Sequence, residues 1–400
     1  MKRVLLLASL LIAYIPRILS AADWGGMING QFKTENDGSD TAVSGNLILA
    51  PWVSMPWDSP FGQADFHFSA GLNAAFEDRN VFAPELFRLE LSFRPTSSLL
   101  VRTGRIGWQD PSRFIAAGRF DGADFLLDLG NIKLGAAALY TGFLYKETAD
   151  INISPTDPKD YSADFDWADF GNTYFAPRRA LTALYGEFPG FPHGRGHLHA
   201  GLLAQFDLSD ADERFHTQYL IFRHSLSYRA FDLVVAGALG LENSPRLRAA
   251  YAFSLEGGMQ LPTAIRDRLS LGLRWSSGNG PNAAAFFPVT REAQGLVLQP
   301  VFSGMMIIRA NYEARLLPSL SATLGGRYFI RTDSTSFNAG HLEDTSYFLG
   351  LELDGSLLWV PFSDLSFSMT GGVFIPKTGA AFADDAPLRW SLGLGAVFSF

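Results

Sequence analysis

The last thirteen residues alternate without a break. Leu388, Trp390, Leu392, Leu394, Ala396, Phe398 and Phe400 share one face of an extended chain, and Arg389, Ser391, Gly393, Gly395, Val397 and Ser399 share the other. Successive side chains of a strand point to opposite faces, so period two predicts a strand. Its length exceeds the roughly five or six residues usual in globular sheets. The same pattern sets Tyr347, Leu349, Leu351, Leu353, Leu357 and Trp359 against Ser346, Gly350, Glu352, Asp354 and Ser356. It also sets Phe87, Leu89, Leu91 and Phe93 against Arg88, Glu90, Ser92 and Arg94.

Carried along the chain, the alternation predicts strands over 24–35, 42–55, 62–76, 85–95, 98–106, 119–129, 132–145, 177–189, 197–207, 215–229, 231–240, 246–259, 267–277, 301–316, 320–331, 346–360, 364–376 and 388–400. That is eighteen, or sixteen if the weaker 98–106 and 231–240 are misread. Even-numbered connections are short ("PTS", "GN", "AF", "LPS"), whereas odd ones include 146–176, 278–300 and 332–345. Outer-membrane barrels have this asymmetry, with short periplasmic turns and long outer loops. Aromatics gather toward strand ends, as interfacial girdles do: Trp275, Tyr228, Tyr347, Trp359, Trp390 and Phe400. The expected fold is therefore all-β, a transmembrane antiparallel β-barrel, because only a closed barrel satisfies the backbone of a sheet in lipid.

The N-terminus supports export. Lys2 and Arg3 precede an apolar run from Val4 to Ile15, and Ser20-Ala21-Ala22 offers a small-residue cleavage site. Residues 1–22 read as a signal peptide and 23–400 as a single barrel domain in the outer membrane of a diderm bacterium. The absence of cysteine excludes disulfides and thiolate metal sites. The 39 glycines and 14% aromatic residues are spread along the chain, with no linker to divide it.

Charge then changes the picture. By strand parity the polar face collects Arg88, Arg94, Arg102, Arg178, Arg223, Arg229, Arg246, Arg248, Arg266, Arg268, Arg274, Arg309, Arg315, Arg327, Arg331 and Arg389. The acids on that face are Glu90, Asp124, Asp128, Glu256, Glu313, Glu352 and Asp354, so a basic lumen is expected although the net charge is −8. Arginine on the lipid face would cost about 2–4 kcal/mol at the midplane. Its planar fork also holds carboxylates in a bidentate manner that lysine lacks. A pore lined this way favours anions.

Arg105 has the opposite parity to Arg102, and Arg119 and Asp121 share the problem; both arginines reach the lumen only if the strand bulges near Gly104 or Gly107. "RTGR" (102–105), "GRFDGADF" (118–125), "GLELDGSLLW" (350–359) and "GGVFIPKTG" (371–379) resemble the alginate-export family of outer-membrane porins. The resemblance implies an eighteen-stranded barrel with an electropositive lumen that passes an anionic polysaccharide, partly gated by a folded-in loop. It also implies that Arg102, Arg105, Arg119 and Asp121 belong to a constriction. Ile106 stands where the family pattern has a glutamine.

The longest connection, 146–176, carries Asp157, Asp160, Asp164, Asp166 and Asp169, with aromatics from Tyr161 to Phe175. It is expected to fold toward the arginine-lined mouth as an acidic gate. His197 and His199 of "HGRGHLH" share a strand face and could bind a metal, although a solvated turn is the plainer reading. None of the seven histidines sits in a nucleophile motif, so neither an enzyme nor a cofactor is expected. The alternative is a surface-exposed structural or adhesin-type barrel. The expected partners are outer-membrane lipid, the assembly machinery through the Phe400 strand, and an anionic small molecule or saccharide. Nucleic acid is not among them, and a monomer is expected.

Overall fold

A computed structural model describes residues 22–400 apart from 78, 155–156, 158–160, 162, 193, 211–212, 244–245 and 334–345. The expected signal peptide therefore lies almost wholly outside the described residues. The remainder forms eighteen antiparallel strands: β1 Asp23–Asn36, β2 Thr41–Ser59, β3 Gly62–Phe76, β4 Asn80–Thr96, β5 Leu99–Gln109, β6 Ala117–Asp128, β7 Lys133–Tyr140, β8 Arg179–Pro189, β9 Gly196–Asp207, β10 His216–Tyr228, β11 Phe231–Asn243, β12 Leu247–Gln260, β13 Arg268–Ser276, β14 Met305–Leu317, β15 Leu320–Arg331, β16 Phe348–Phe362, β17 Leu365–Ile375 and β18 Arg389–Ser399. Each strand pairs with its sequence neighbours, and β1 also pairs with β18 from Met27↔Ser399 to Asn36↔Trp390. The sheet is a closed barrel. Both doubtful segments, 98–106 and 231–240, are strands, which excludes the sixteen-strand count.

Alternation produces the outer surface. Leu184, Leu202, Leu220 and Leu239 stand opposite one another across β8, β9, β10 and β11, and all four are exposed. Such a row is stable only against hydrocarbon, as the apolar band of a membrane barrel requires. At the seam the Phe400 amide and carbonyl exchange hydrogen bonds with Gly26 at 3.0 and 2.9 Å.

The buried apolar core lies inside the barrel. Ile106, Phe114, Ile115 and Phe120 pack with Phe286, Val289 and Phe302 and with Leu139, Leu181, Leu203, Tyr219 and Ile221 on the strands. The inner face of β7–β11 is thus apolar where this chain packs on it. That departs from a uniformly polar lumen.

Candidate permeation pathway and its constriction

The inward-packed chain begins at β5 and β6. Pairing of β4 with β5 stops at Leu89↔Arg105, and pairing of β6 with β7 stops at Asp121↔Tyr140. Beyond those points β5 and β6 pair only with each other, as far as Gln109↔Ala117. The hairpin 105–120 therefore leaves the wall and turns into the barrel. Its hinge is Gly104 opposite Gly122, with φ of 107° and 157°. A Cβ would lie 1.9 Å from the Leu89 carbonyl oxygen at Gly104, and 2.1 Å from that of Ala138 at Gly122. Only glycine fits this approach.

The hinge resolves the parity conflict. Arg102 keeps inward parity and pairs with Asp124 at 2.5 Å. Arg105 is buried and holds Asp121 through two hydrogen bonds of 2.8 Å. It also donates to the Leu86 carbonyl at 2.9 Å and to the Phe143 carbonyl at 2.9 Å. Past the hinge, Arg119 faces β4 rather than lipid, pairs with Glu85 at 2.7 Å and lies over the Phe87 ring. A bend at glycine re-aims these side chains, with no inserted residue in the β5–β6 ladder.

The hairpin tip is tied by Asp110. Its buried carboxylate accepts hydrogen bonds from the amides of Ser112, Arg113, Ile115 and Ala116, between 2.7 and 3.1 Å. Burial pushes this carboxyl above the usual range, and those amides pull it back. The knot holds Arg113 at φ 69°, exposed at the tip.

Two loops complete the narrowing. Loop 277–304 meets the hairpin through the Val289 and Thr290 amides, which donate to the Ile115 carbonyl at 2.7 and 3.0 Å. It meets loop 141–178 where the Arg291 amide donates to the Asp150 carbonyl at 2.6 Å. Loop 141–178 packs Tyr145, Phe165 and Tyr174 against Ala83 of β4. Trp167 Nε1 donates to the Phe82 carbonyl at 3.1 Å, and the Tyr174 hydroxyl donates to that of Pro84 at 2.6 Å. With Arg105 on Leu86, alternate carbonyls of the β4 edge vacated by β5 are each satisfied by a side chain.

Of the loop acids, Asp157 is buried against Arg179, which also holds Asp207 and donates to Ser154 Oγ at 3.0 Å. Asp164, Asp166 and Asp169 are exposed; Asp166 accepts from the Ala168 amide and Asp169 from Asn172 Nδ2, each at 2.8 Å. Asp160 lies outside the described residues. Sequence parity selected Arg178 and missed Arg179. Arg179 shares the inward face with Leu181 and Ala183, and that face is apolar where the inner chain packs on it.

Several arginines counted by parity sit elsewhere. Arg229 and Arg266 are turn residues with φ of 55° and 48°. Arg178 precedes β8 and pairs with Asp210, and Arg246 is exposed just before β12. Arg315, at a register shift near the end of β14, donates to the Pro318 carbonyl at 2.6 Å. Parity fails at these places because the chain is leaving the ladder. Arg94 is exposed on β4. Arg88 pairs with Glu90 at 2.9 Å, Arg274 with Glu292 at 2.6 Å, Arg309 with Glu256, and Arg327 with Asp354 and Glu352. Arg248 donates to the carbonyls of Gly280 and Ala283, and Arg331 to that of Ser346. Glu85 within β4 and Glu292 in a loop answer arginines without having been counted among the acids, so the excess of positive charge is smaller than the strand count.

Arg223 differs. It makes no hydrogen bond or ion pair with the described residues, yet is half-buried on β10. Arg113 and Arg274 lie within electrostatic reach of it, as do the acids Glu256 and Asp110, and Arg309 lies within reach of Arg274. Arg223, Arg113 and Arg102 line a cavity of about 610 Å³ with Trp108, Tyr185 and His199.

This architecture recurs in solved structures. OccK5 (OpdH) of Pseudomonas aeruginosa aligns with a TM-score of 0.65 at 10% identity, over 96% of this chain and 99% of its own. OccK2 (OpdF) of the same organism, crystallised in complex with glucuronate, aligns at 0.65 and 12% identity over 95% and 98%. The outer membrane protein OpdK aligns at 0.60 and 11% identity over 95% and 99%. The chain shares the fold of the Occ outer-membrane barrels. No protein-family profile and no curated sequence matches it. The Occ proteins thus stand where the sequence motifs pointed to alginate exporters. The closed wall and apolar belt are those of an outer-membrane protein.

Proposed function

We propose that the protein is an outer-membrane porin that passes small carboxylated solutes, acidic sugars among them, by diffusion past the narrowed lumen. The observation that carries this reading is Arg223, whose guanidinium lines the cavity with no hydrogen bond or ion pair to an acid among the described residues, with Arg113 held nearby by the Asp110 knot. A guanidinium left open in a confined, partly desolvated space binds carboxylate in two-point fashion, and a second one nearby strengthens the field. A cavity of about 610 Å³ lies in the range of small-molecule sites. Glucuronate in the OccK2 structure supports this chemistry by likeness of fold.

The decisive experiment is bilayer recording of the folded barrel under a salt gradient. The expected reversal potential favours anions, and millimolar glucuronate is expected to interrupt chloride current. A folded barrel that conducts no ions supports the structural or adhesin reading, and one that prefers cations removes the role given to Arg223.

A further inference from the structure

The turn 190–195 returns the chain into β9 with His197 and His199 two residues apart on one face. Glu187 of β8 stands directly opposite His199 in the ladder. Its carboxylate oxygens lie 3.8 Å from His199 Nδ1 and 3.9 Å from His197 Nε2. The two imidazole centroids are 4.1 Å apart, and the three donor atoms lie within 4.8 Å of one another. His197 Nε2 is shielded from solvent and has no hydrogen-bond partner among the described residues. The side chains as wholes remain 26–37% exposed, so a solute can reach them.

Two imidazoles and a carboxylate are the donor set of zinc-type ions. Bonds of about 2.0–2.1 Å at tetrahedral angles place donors roughly 3.3 Å apart. The two carboxylate–imidazole separations close by about half an ångström and the imidazole pair, within 4.8 Å, by up to about 1.5 Å, through rotation of the glutamate and histidine side chains. Hard cations prefer an all-oxygen shell and gain little from imidazole. We propose that Glu187, His197 and His199 form a binding site for a zinc-class divalent transition metal, at the short-turn end of the lumen. Three protein ligands leave a coordination position for water. Arg223, opposite His199 on β10, opposes a second positive charge and keeps the ion exchangeable. The sequence offered His197 and His199 as a candidate pair of ligands and favoured a solvated turn; the third ligand comes from the neighbouring strand.

The test uses tag-free, folded full-length barrel in detergent, titrated calorimetrically with zinc chloride, so binding is read without reference to transport. One equivalent is expected to bind, and magnesium chloride is expected to give no comparable heat. Glu187→Gln is expected to weaken zinc binding about tenfold or more, and the His197→Ala/His199→Ala double variant to abolish it. His67→Ala, on β3, is expected to leave it unchanged. The single variants His197→Gln and His199→Gln, which keep a polar side chain, carry the same test if the double variant does not fold. Wild-type protein with heat-modifiable gel mobility that binds no zinc overturns the proposal. So do histidine variants that bind zinc as tightly as wild type.

Discussion

Gly104 of β5 faces Gly122 of β6 across the ladder, and neither position has room for a Cβ. This one pair decides where the barrel wall ends and the inward hairpin begins. Gly104→Ala adds a methyl 1.9 Å from a carbonyl oxygen at φ 107°, so it costs at least about 1–3 kcal/mol and unseats the hairpin. A lower urea midpoint with larger, noisier conductance is the expected result. Unchanged values for both would mean that the hairpin tolerates another path.

Selectivity separates the open arginine from the paired ones. One unit charge at about 4 Å in water is worth about 1 kcal/mol, a factor of about five in relative permeability. Arg223→Ala is therefore expected to lower the anion-to-cation ratio severalfold with little change in stability. Arg327→Ala should behave differently, because it strands Glu352 and Asp354 without their cation. Reversal potentials and urea midpoints measured on both variants distinguish the two roles. Equal stability losses in the two variants would show that Arg223 is not the open group.

Arg179 fastens the long loop. It is fully buried with Asp157 and Asp207. Arg179→Ala leaves two buried carboxylates uncompensated, and breaking such a set costs about 3–5 kcal/mol. Loop 141–178 in that variant is expected to become cleavable by protease in the folded barrel, and Asp157→Asn to give a weaker form of the same effect. Resistance equal to wild type in a folded Arg179→Ala protein would remove the anchoring role.

The strands were legible because lipid on one face enforces period two over long runs, as in 388–400. The hairpin was not. Alternation reports which face a side chain takes within a ladder and says nothing about where a strand leaves it. Arg105 and Arg119 read as misfits; Gly104 was one of two places where the strand was expected to yield, but Gly122 is an unremarkable letter until its partner across the ladder is known. Arg179 escaped notice for a related reason. Leu181 and Ala183 made its face look lipid-directed, whereas chain folded inside the barrel covers them. Glu187 is separated from His197 and His199 by a turn, and only register joins them.

Tyr174 gives the loop a dependence on alkaline pH. Burial, then the neighbouring Glu85, pushes its hydroxyl up to about 12 from an ordinary 10.0. A group whose folded pKa is raised contributes stability that is complete below its unfolded pKa and lost as pH rises through the folded one. Loop seating is therefore expected to hold up to pH 10 and to weaken between there and about 12, seen as rising current noise. Tyr145 and Tyr161 are pushed up by burial as well, so Tyr174→Phe should reduce the alkaline transition without removing it. An identical transition in Tyr174→Phe would assign it to the other two.

The three carbonyls of Phe82, Pro84 and Leu86 carry one more consequence. Where both strands stay in the wall, neighbouring staves are joined by a backbone ladder, and parting them in hydrocarbon means breaking its rungs. Between β4 and the departed β5 the outer half of the joint is held by an indole, a phenol and a guanidinium. Proline at the middle position has no amide to offer a replacement strand. The wall therefore has a line of mechanical weakness that begins at the long-loop rim and stops at Leu89↔Arg105, where the ladder resumes. Heat or force should part the cylinder there first, in step with the release of the loop.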